Sequence, residues 1–144
     1  MLADHKGPIA VTLAYVLLYY LFQVNLVRVK AKLEREYAAR GEKFDRYFGQ
    51  DRNMLAADRV QLNMLEHMPP FLVLLWLNAV FVSPAVATWG GAVYVLARAA
   101  YPLAMGSRVG RGPRAVILAT TVPGYLVLAG FSASLVWAML GGRP

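Results

Sequence analysis

The chain has 144 residues, of which 58% are hydrophobic and 16% charged, against about 45–50% and 25% in an ordinary soluble domain; this argues against a soluble domain, and the length allows one domain only. The absence of cysteine excludes disulfides, thiolate metal sites and a cysteine nucleophile. The formal charge of +7 does not indicate nucleic-acid binding, because most basic residues lie in two connections between apolar blocks, the positive-inside pattern of a membrane protein.

Four long apolar blocks predict four transmembrane helices. The first covers residues 8–27, which at about 1.5 Å per residue extends about 30 Å, the thickness of the hydrocarbon core. This block is longer than a signal-peptide core of about 7–15 residues, so we expect it to be retained. The other predicted spans are residues 62–82, 85–105 and 115–140.

The segment after the first span contains KAKLEREYAAR, a run of helix formers that predicts an extension of the first helix beyond the membrane. Gly41 is the expected stop of that helix. Residues 44–48 include three aromatic side chains and either lie on the lipid headgroups or cover a pocket. Of these two interpretations, the interfacial anchor is favoured.

These elements predict one all-α membrane domain over residues 1–144, an up-down-up-down four-helix bundle. Only Ser83 and Pro84 separate the second and third spans, which requires an antiparallel pair of helices. The basic connections, residues 28–61 and 106–114, are expected on the cytoplasmic side of this multi-pass protein, and both termini on the other side.

Two ionisable residues inside the spans are the most informative, because a charge there costs at least about 2.5–3.5 kcal/mol unless it is paired or hydrated. They are Glu66 in the second span and Arg98 in the third. Helical spacing places Arg59, Asn63 and Glu66 on one stripe, and it places Arg98 and Tyr101 on another. Both stripes lie toward the basic side of the membrane.

These side chains allow two interpretations. Glu66 and Arg98 can form a structural ion pair between the two helices. A polar ligand with several charges would instead explain the surplus of polar groups at this level, which are Arg28, Arg59, Gln61, Arg111 and Arg114. For His67, a hydrogen-bonded interior position is favoured over a metal ligand, and no metal site is expected.

The stretch from Arg59 to Phe71 resembles the R-x-Q-x-N-x-x-E-x-x-x-P-[FL] signature of the MAPEG superfamily. These membrane-associated proteins of eicosanoid and glutathione metabolism include leukotriene C4 synthase and the microsomal glutathione transferases. Arg98-Ala-Ala-Tyr101 resembles the R-x-x-[YH] motif of the family's third helix. The resemblance covers essentially the whole chain and implies a homotrimer with glutathione bound between neighbouring subunits.

Individual roles follow from the same resemblance. It implies that an arginine near the loop before the fourth helix, either Arg111 or Arg114, is catalytic and holds the glutathione sulfur as a thiolate. The lipophilic electrophile is expected to arrive from the bilayer, so membrane lipids and a hydrophobic substrate are the expected partners. The residues implied in glutathione binding are Arg28, Lys30, Arg59, Gln61, Asn63, Glu66, His67, Arg98 and Tyr101.

Two positions depart from the family pattern. Met105 stands where relatives often have a tyrosine, and His67 stands where leukotriene C4 synthase has another. The favoured function is a glutathione-dependent transferase or peroxidase, in detoxification or lipid metabolism. A non-catalytic lipid-binding or scaffold protein of the same fold is the alternative. A small proton-coupled exporter is less favoured, because such chains usually carry their membrane glutamate in the first span.

Overall fold

The computed structural model describes residues 3–105 and 114–141 of the chain. Within those ranges the chain forms helices and no strand. The helices are α1 (Lys6–Ala39), α2 (Arg52–Phe81), α3 (Pro84–Met105) and α4 (Arg114–Met139). The predicted all-α class is therefore confirmed.

The first helix, α1, is much longer than the apolar block that predicted it. Its 34 residues extend about 51 Å, so its last turns continue beyond a hydrocarbon layer of about 30 Å. The helix ends at Ala39, and Gly41 follows with a φ of +73°, a conformation that glycine adopts without steric cost. The predicted extension and its stop at Gly41 are confirmed.

The second helix, α2, begins well before the predicted second span. Asp51 caps its start by accepting hydrogen bonds from the backbone N–H groups of Asn53 and Met54, at 2.9 and 3.1 Å. α2 therefore begins inside the segment 28–61 that connects the first two predicted spans, and α1 enters this segment from the other end, as its predicted extension requires. The first turns of α2 mix polar residues with the buried Met54, Ala56 and Ala57, so they contain no long apolar run.

Side-chain contacts fix the connection between α1 and α2. Arg46 donates two hydrogen bonds of 2.7 Å to the carboxylate of Asp58. The backbone N–H groups of Phe48 and Tyr47 donate to the carboxylate of Asp45 and hold the pKa of that group below its ordinary value. The side chains of Tyr47 and Phe48 are 86% and 89% exposed. They cover no pocket within the described chain, and their role as an interfacial anchor stays a prediction.

Three helices within the described residues are long and apolar enough to cross a membrane. They are α1, α2 and the part of α4 from Ile117 to Met139. The third helix forms where the sequence predicts a span, but it is not among the helices that are long and apolar enough by this measure. That α3 also crosses the membrane stays a prediction.

An aromatic cluster joins the middle parts of α1, α2 and α3. Phe71 and Tyr94 stack with their ring centroids 4.0 Å apart, and Tyr15 packs on Phe71 at 4.9 Å. The Tyr15 hydroxyl donates to the carbonyl oxygen of Met64 at 2.8 Å, so this polar group is satisfied inside the protein. α2 and α3 each pack on the other three helices, whereas no Cα atoms of α1 and α4 lie within 8 Å of each other among the described residues.

A buried asparagine links α2 to α4. Asn78 is fully buried, and its amide nitrogen donates to the carbonyl oxygens of Leu74 and Phe131 at 2.9 and 3.0 Å. Its amide oxygen accepts a hydrogen bond of 2.5 Å from the Ser134 hydroxyl. Such polar contacts matter for helix association in a bilayer, because lipid tails are as apolar as the side chains they surround.

We expect Asn78→Ala to destabilise the protein by about 1–2 kcal/mol, the range of interhelical hydrogen bonds in membranes. Asn78→Asp should destabilise it more, because a carboxylate would face two carbonyl oxygens. Thermal unfolding of the detergent-solubilised chain measures both effects. Ser132→Ala is a matched control, because the Ser132 hydroxyl bonds only to its own helix, at the carbonyl oxygen of Leu128. Equal stability of all variants would contradict a linking role for Asn78.

Candidate functional site

The candidate site is centred on a buried guanidinium. Arg98 on α3 is 1% exposed. Its Nη1 donates to the Oδ1 of Asn63, and its Nη2 lies 3.4 Å from the Nδ1 of His67. The guanidinium carbon lies 5.1 Å from the centre of the Tyr94 ring, a cation–π distance. A buried cation among apolar helices is thus surrounded by an amide, an imidazole and an aromatic ring.

Helical spacing explains how the sequence assembles this cluster. Asn63 and His67 are four residues apart on α2, so their side chains lie on neighbouring turns of one face. Tyr94 and Arg98 have the same spacing on α3. Contact between the two faces brings all four side chains together. Spacing alone identifies each pair, but only the packing of α2 on α3 identifies their partners.

The structure does not support an ion pair between Glu66 and Arg98. Glu66 is exposed, whereas Arg98 is buried and bonded to Asn63. The ion pairs between residues described by the structure involve neither of them; these pairs are Lys30–Glu34, Lys32–Glu36, Arg40–Glu42 and Arg46–Asp58. The structural ion-pair interpretation is therefore wrong.

A second group of predicted residues lies on the outer side of the same cluster. Arg59 and Glu66 are exposed on α2. Tyr101, on α3, is buried beside Val60 of α2. Among the described residues, the predicted stripe therefore has an inner part that contacts Arg98 and an outer part, Arg59 and Glu66, that forms no ion pair.

The remaining predicted residues lie elsewhere. Arg28 is exposed on α1, and Lys30 forms an exposed ion pair with Glu34 at 3.5 Å. Gln61 is half-buried, and its Oε1 has no hydrogen-bond partner among the described residues. Arg111 lies outside the described residues. Arg114 begins α4, and its side chain also lies outside the described part.

Three members of the cluster, Tyr125, Gly124 and Tyr94, were not predicted. Tyr125 on α4 packs edge-on against His67, with ring centroids 5.1 Å apart. Gly124 lies so close to the guanidinium that an added Cβ would stand 2.9 Å from the Nη2 of Arg98. Neither residue has a sequence signal of its own, because the rotation of α4 about its axis decides what they face. Tyr94 could have been found from its spacing to Arg98.

A separate cleft lies between the polar end of α1 and the first turns of α2. It encloses about 290 Å³ and includes the amides of Asn25 and Asn53, with Pro102 of α3 at one side. None of the predicted site residues lines this cleft. Its small side chains, Ala56 and Ala57, leave the space open.

Comparison with known proteins gives two matches. The family model described as "MAPEG family" matches residues 8–143, nearly the whole chain. An uncharacterised protein, sll1147 of Synechocystis sp. (strain ATCC 27184 / PCC 6803 / Kazusa), is 32% identical over 96 residues. That alignment covers 65% of this chain and 63% of the relative, so the match spans less than two thirds of the relative's length.

We expect Asn63→Ala to lower stability by about 1.5–3 kcal/mol, because it removes an acceptor from a buried charge. Glu66→Gln should leave stability unchanged within about 0.5 kcal/mol, since Glu66 is exposed. Denaturation of both variants in the same detergent compares the two residues directly. A large loss for Glu66→Gln with none for Asn63→Ala would restore the ion-pair interpretation.

Proposed function

We propose that this chain, which belongs to the MAPEG family, is a membrane-bound transferase or peroxidase that uses glutathione against lipophilic electrophiles. The observation that carries the proposal is that Arg59 and Glu66 are exposed on α2, one on each side in sequence of Asn63, which bonds to the buried Arg98. These residue types match the family signature, and a purely structural role does not require an exposed cation and anion at this place.

The chemistry of glutathione fits these groups. The tripeptide carries two carboxylates, for which Arg59, Arg28 and Lys30 provide cations. It also carries an ammonium, for which Glu66 provides a carboxylate. Its amides can bond to Asn63 and Gln61. Tyr101 corresponds to a family residue that contacts the tripeptide, while His67 and Arg98 complete the site behind Asn63.

Exposure of these groups supports a homotrimer with sites between subunits. Arg28, Arg59 and Glu66 are all exposed in the single chain, and Gln61 points about 200° away from Arg59 around α2. One chain therefore presents parts of two sites on opposite faces. We further propose that the four helices form an up-down-up-down bundle, with the site near the cytoplasmic face and both termini opposite.

The reacting group in this proposal is the glutathione sulfur. An ordinary thiol has a pKa of about 8.5, and a neighbouring guanidinium lowers it, which raises the nucleophilic fraction at neutral pH. Arg111 or Arg114 takes this role by the resemblance to the family. The electrophile would enter from the bilayer, in the groove between α1 of one subunit and α4 of its neighbour.

A non-catalytic lipid-binding protein of the same fold is the second candidate. Met105 favours it, because this buried methionine stands where relatives often have a tyrosine and packs against Val60 and Tyr101. A thioether cannot donate a hydrogen bond to a thiolate. Turnover of glutathione with an aromatic halide, or with a lipid hydroperoxide, separates the two candidates.

We expect Arg59→Ala and Glu66→Gln each to weaken glutathione affinity by about 10-fold to 100-fold, because each removes a charge-assisted bond of about 1.5–3 kcal/mol. Isothermal titration of the solubilised protein gives the affinities, and size-exclusion chromatography with light scattering checks that the oligomer persists. Arg35→Ala is the control for general charge, since Arg35 is exposed and bonds only to its own helix. No binding by the wild-type chain at millimolar glutathione would refute the proposal.

We expect Ala at Arg111 or Arg114 to reduce turnover much more than affinity, because the carboxylate contacts that dominate binding remain. The same variant should raise the apparent pKa of the bound thiol, which ultraviolet absorbance of the thiolate measures across pH. Lys at that position should restore the effect only in part, being a point charge on a flexible stem. Wild-type pKa and rate in both Ala variants would assign thiol activation to another group.

A further inference from the structure

The buried guanidinium can only donate hydrogen bonds. Arginine has five N–H donors and no acceptor, so every polar atom that faces Arg98 has to accept. The Asn63 amide has a nitrogen that donates and an oxygen that accepts. A neutral His67 imidazole has one ring nitrogen that donates and one that accepts. Their contacts with Arg98 therefore decide which of their atoms points inward.

For Asn63 the inward atom is the amide oxygen. The guanidinium bonds to Oδ1, so the amide nitrogen is left on the other side of the group. That nitrogen has no hydrogen-bond partner in the part of the chain that the structure describes, and the side chain is partly exposed beside Arg59 and Glu66. The outward atom of Asn63 is therefore a hydrogen-bond donor.

For His67 the inward atom is Nδ1. It lies 3.4 Å from the Nη2 of Arg98, and a proton on Nδ1 would face the guanidinium proton directly. A neutral ring with its hydrogen on Nε2 avoids this clash, because Nδ1 then accepts from the guanidinium. The edge-on contact with the Tyr125 ring, at 66° between the planes, holds the imidazole in this position.

We propose that Arg98 is a positioning residue that fixes the donor and acceptor directions of Asn63 and His67. It makes Asn63 a donor toward an acceptor oxygen of the ligand, such as a carboxylate or carbonyl oxygen, and it sets His67 as the Nε2–H tautomer. The ligand half of this inference rests on the proposed function, whereas the tautomer half does not.

The backbone of α4 holds the guanidinium in place. An added Cβ at Gly124 would stand 2.9 Å from the Nη2 of Arg98 and 3.4 Å from the Tyr94 ring. Because the nearest atom is the end of a flexible side chain, Gly124→Ala should displace the guanidinium without disrupting the helix. Gly130→Ala on the same helix is the matched control, since no atom lies within 4 Å of its Cβ position.

Asn63→Asp tests the ligand half. The new carboxylate gains Arg98 as an ion-pair partner, so thermal stability should be at least that of the wild type. The outward donor is lost and a negative oxygen takes its place, so the Kd for glutathione should rise at least 10-fold. Tighter binding by Asn63→Asp would show that Asn63 presents its oxygen to the ligand and would overturn this half. Absence of binding by the wild type would overturn it together with the proposed function.

Nitrogen NMR of ¹⁵N-histidine-labelled protein tests the tautomer half without any ligand. The chain has only two histidines, so His5→Gln assigns the signals. At about pH 8, where a free imidazole is neutral, His67 should show a protonated Nε2 and a bare Nδ1. Arg98→Met and Gly124→Ala should change the Nδ1 signal, and Gly130→Ala should not. A protonated Nδ1 in the wild type would overturn this half. So would an Nδ1 signal of His67 that stays unchanged in Gly124→Ala, where the Arg98 guanidinium is displaced.

Discussion

A guanidinium buried among apolar helices has to find its hydrogen-bond partners within the protein, because hydrocarbon offers none. Arg98 meets part of this requirement with the Oδ1 of Asn63 and the Nδ1 of His67 on α2, whereas its buried Nε has no hydrogen-bond partner among the described residues. The Tyr94 ring and the α4 backbone at Gly124 also lie close to the guanidinium. These contacts require one rotation of α2, α3 and α4 about their axes. The packing of the helices and the geometry of the candidate site therefore depend on the same cluster.

The cluster divides the polar residues of the site into two kinds. Asn63 and His67 each direct one atom at the buried Arg98 within one chain, while the Nε of Arg98 has no hydrogen-bond partner among the described residues. Arg59 and Glu66 stay exposed on the same helix, and a charge in that position is costly if it faces lipid. A charged ligand beside a neighbouring subunit would remove that cost, and this joins the proposed chemistry to the proposed trimer.

Close helix contacts elsewhere follow the same physical rule. Association in a bilayer has no hydrophobic driving force between helices, so small residues and buried hydrogen bonds decide which faces meet. Gly91 lets α3 approach Val11 and Leu75, where an added Cβ would stand 2.7 and 2.8 Å away. Asn78 joins α2 to α4 at the other end of the bundle from Arg98. These contacts fix the rotations that the Arg98 cluster needs.

Hydropathy located all four helices, because a segment in hydrocarbon needs a long run of apolar residues. Gly41 located the end of α1, because glycine adopts a positive φ without steric cost. The family signature indicated Asn63 and Arg98 as candidate site residues. Hydropathy did not locate the first turns of α2, because they mix polar and apolar residues and contain no long apolar run. A helical wheel gives the direction of a side chain about its own axis, but not the rotation of one helix against another. For that reason the sequence left Glu66 as a candidate partner of Arg98. The packing of Phe71 on Tyr94 and the approach of α4 instead turn the Arg98 side chain toward Asn63 and His67.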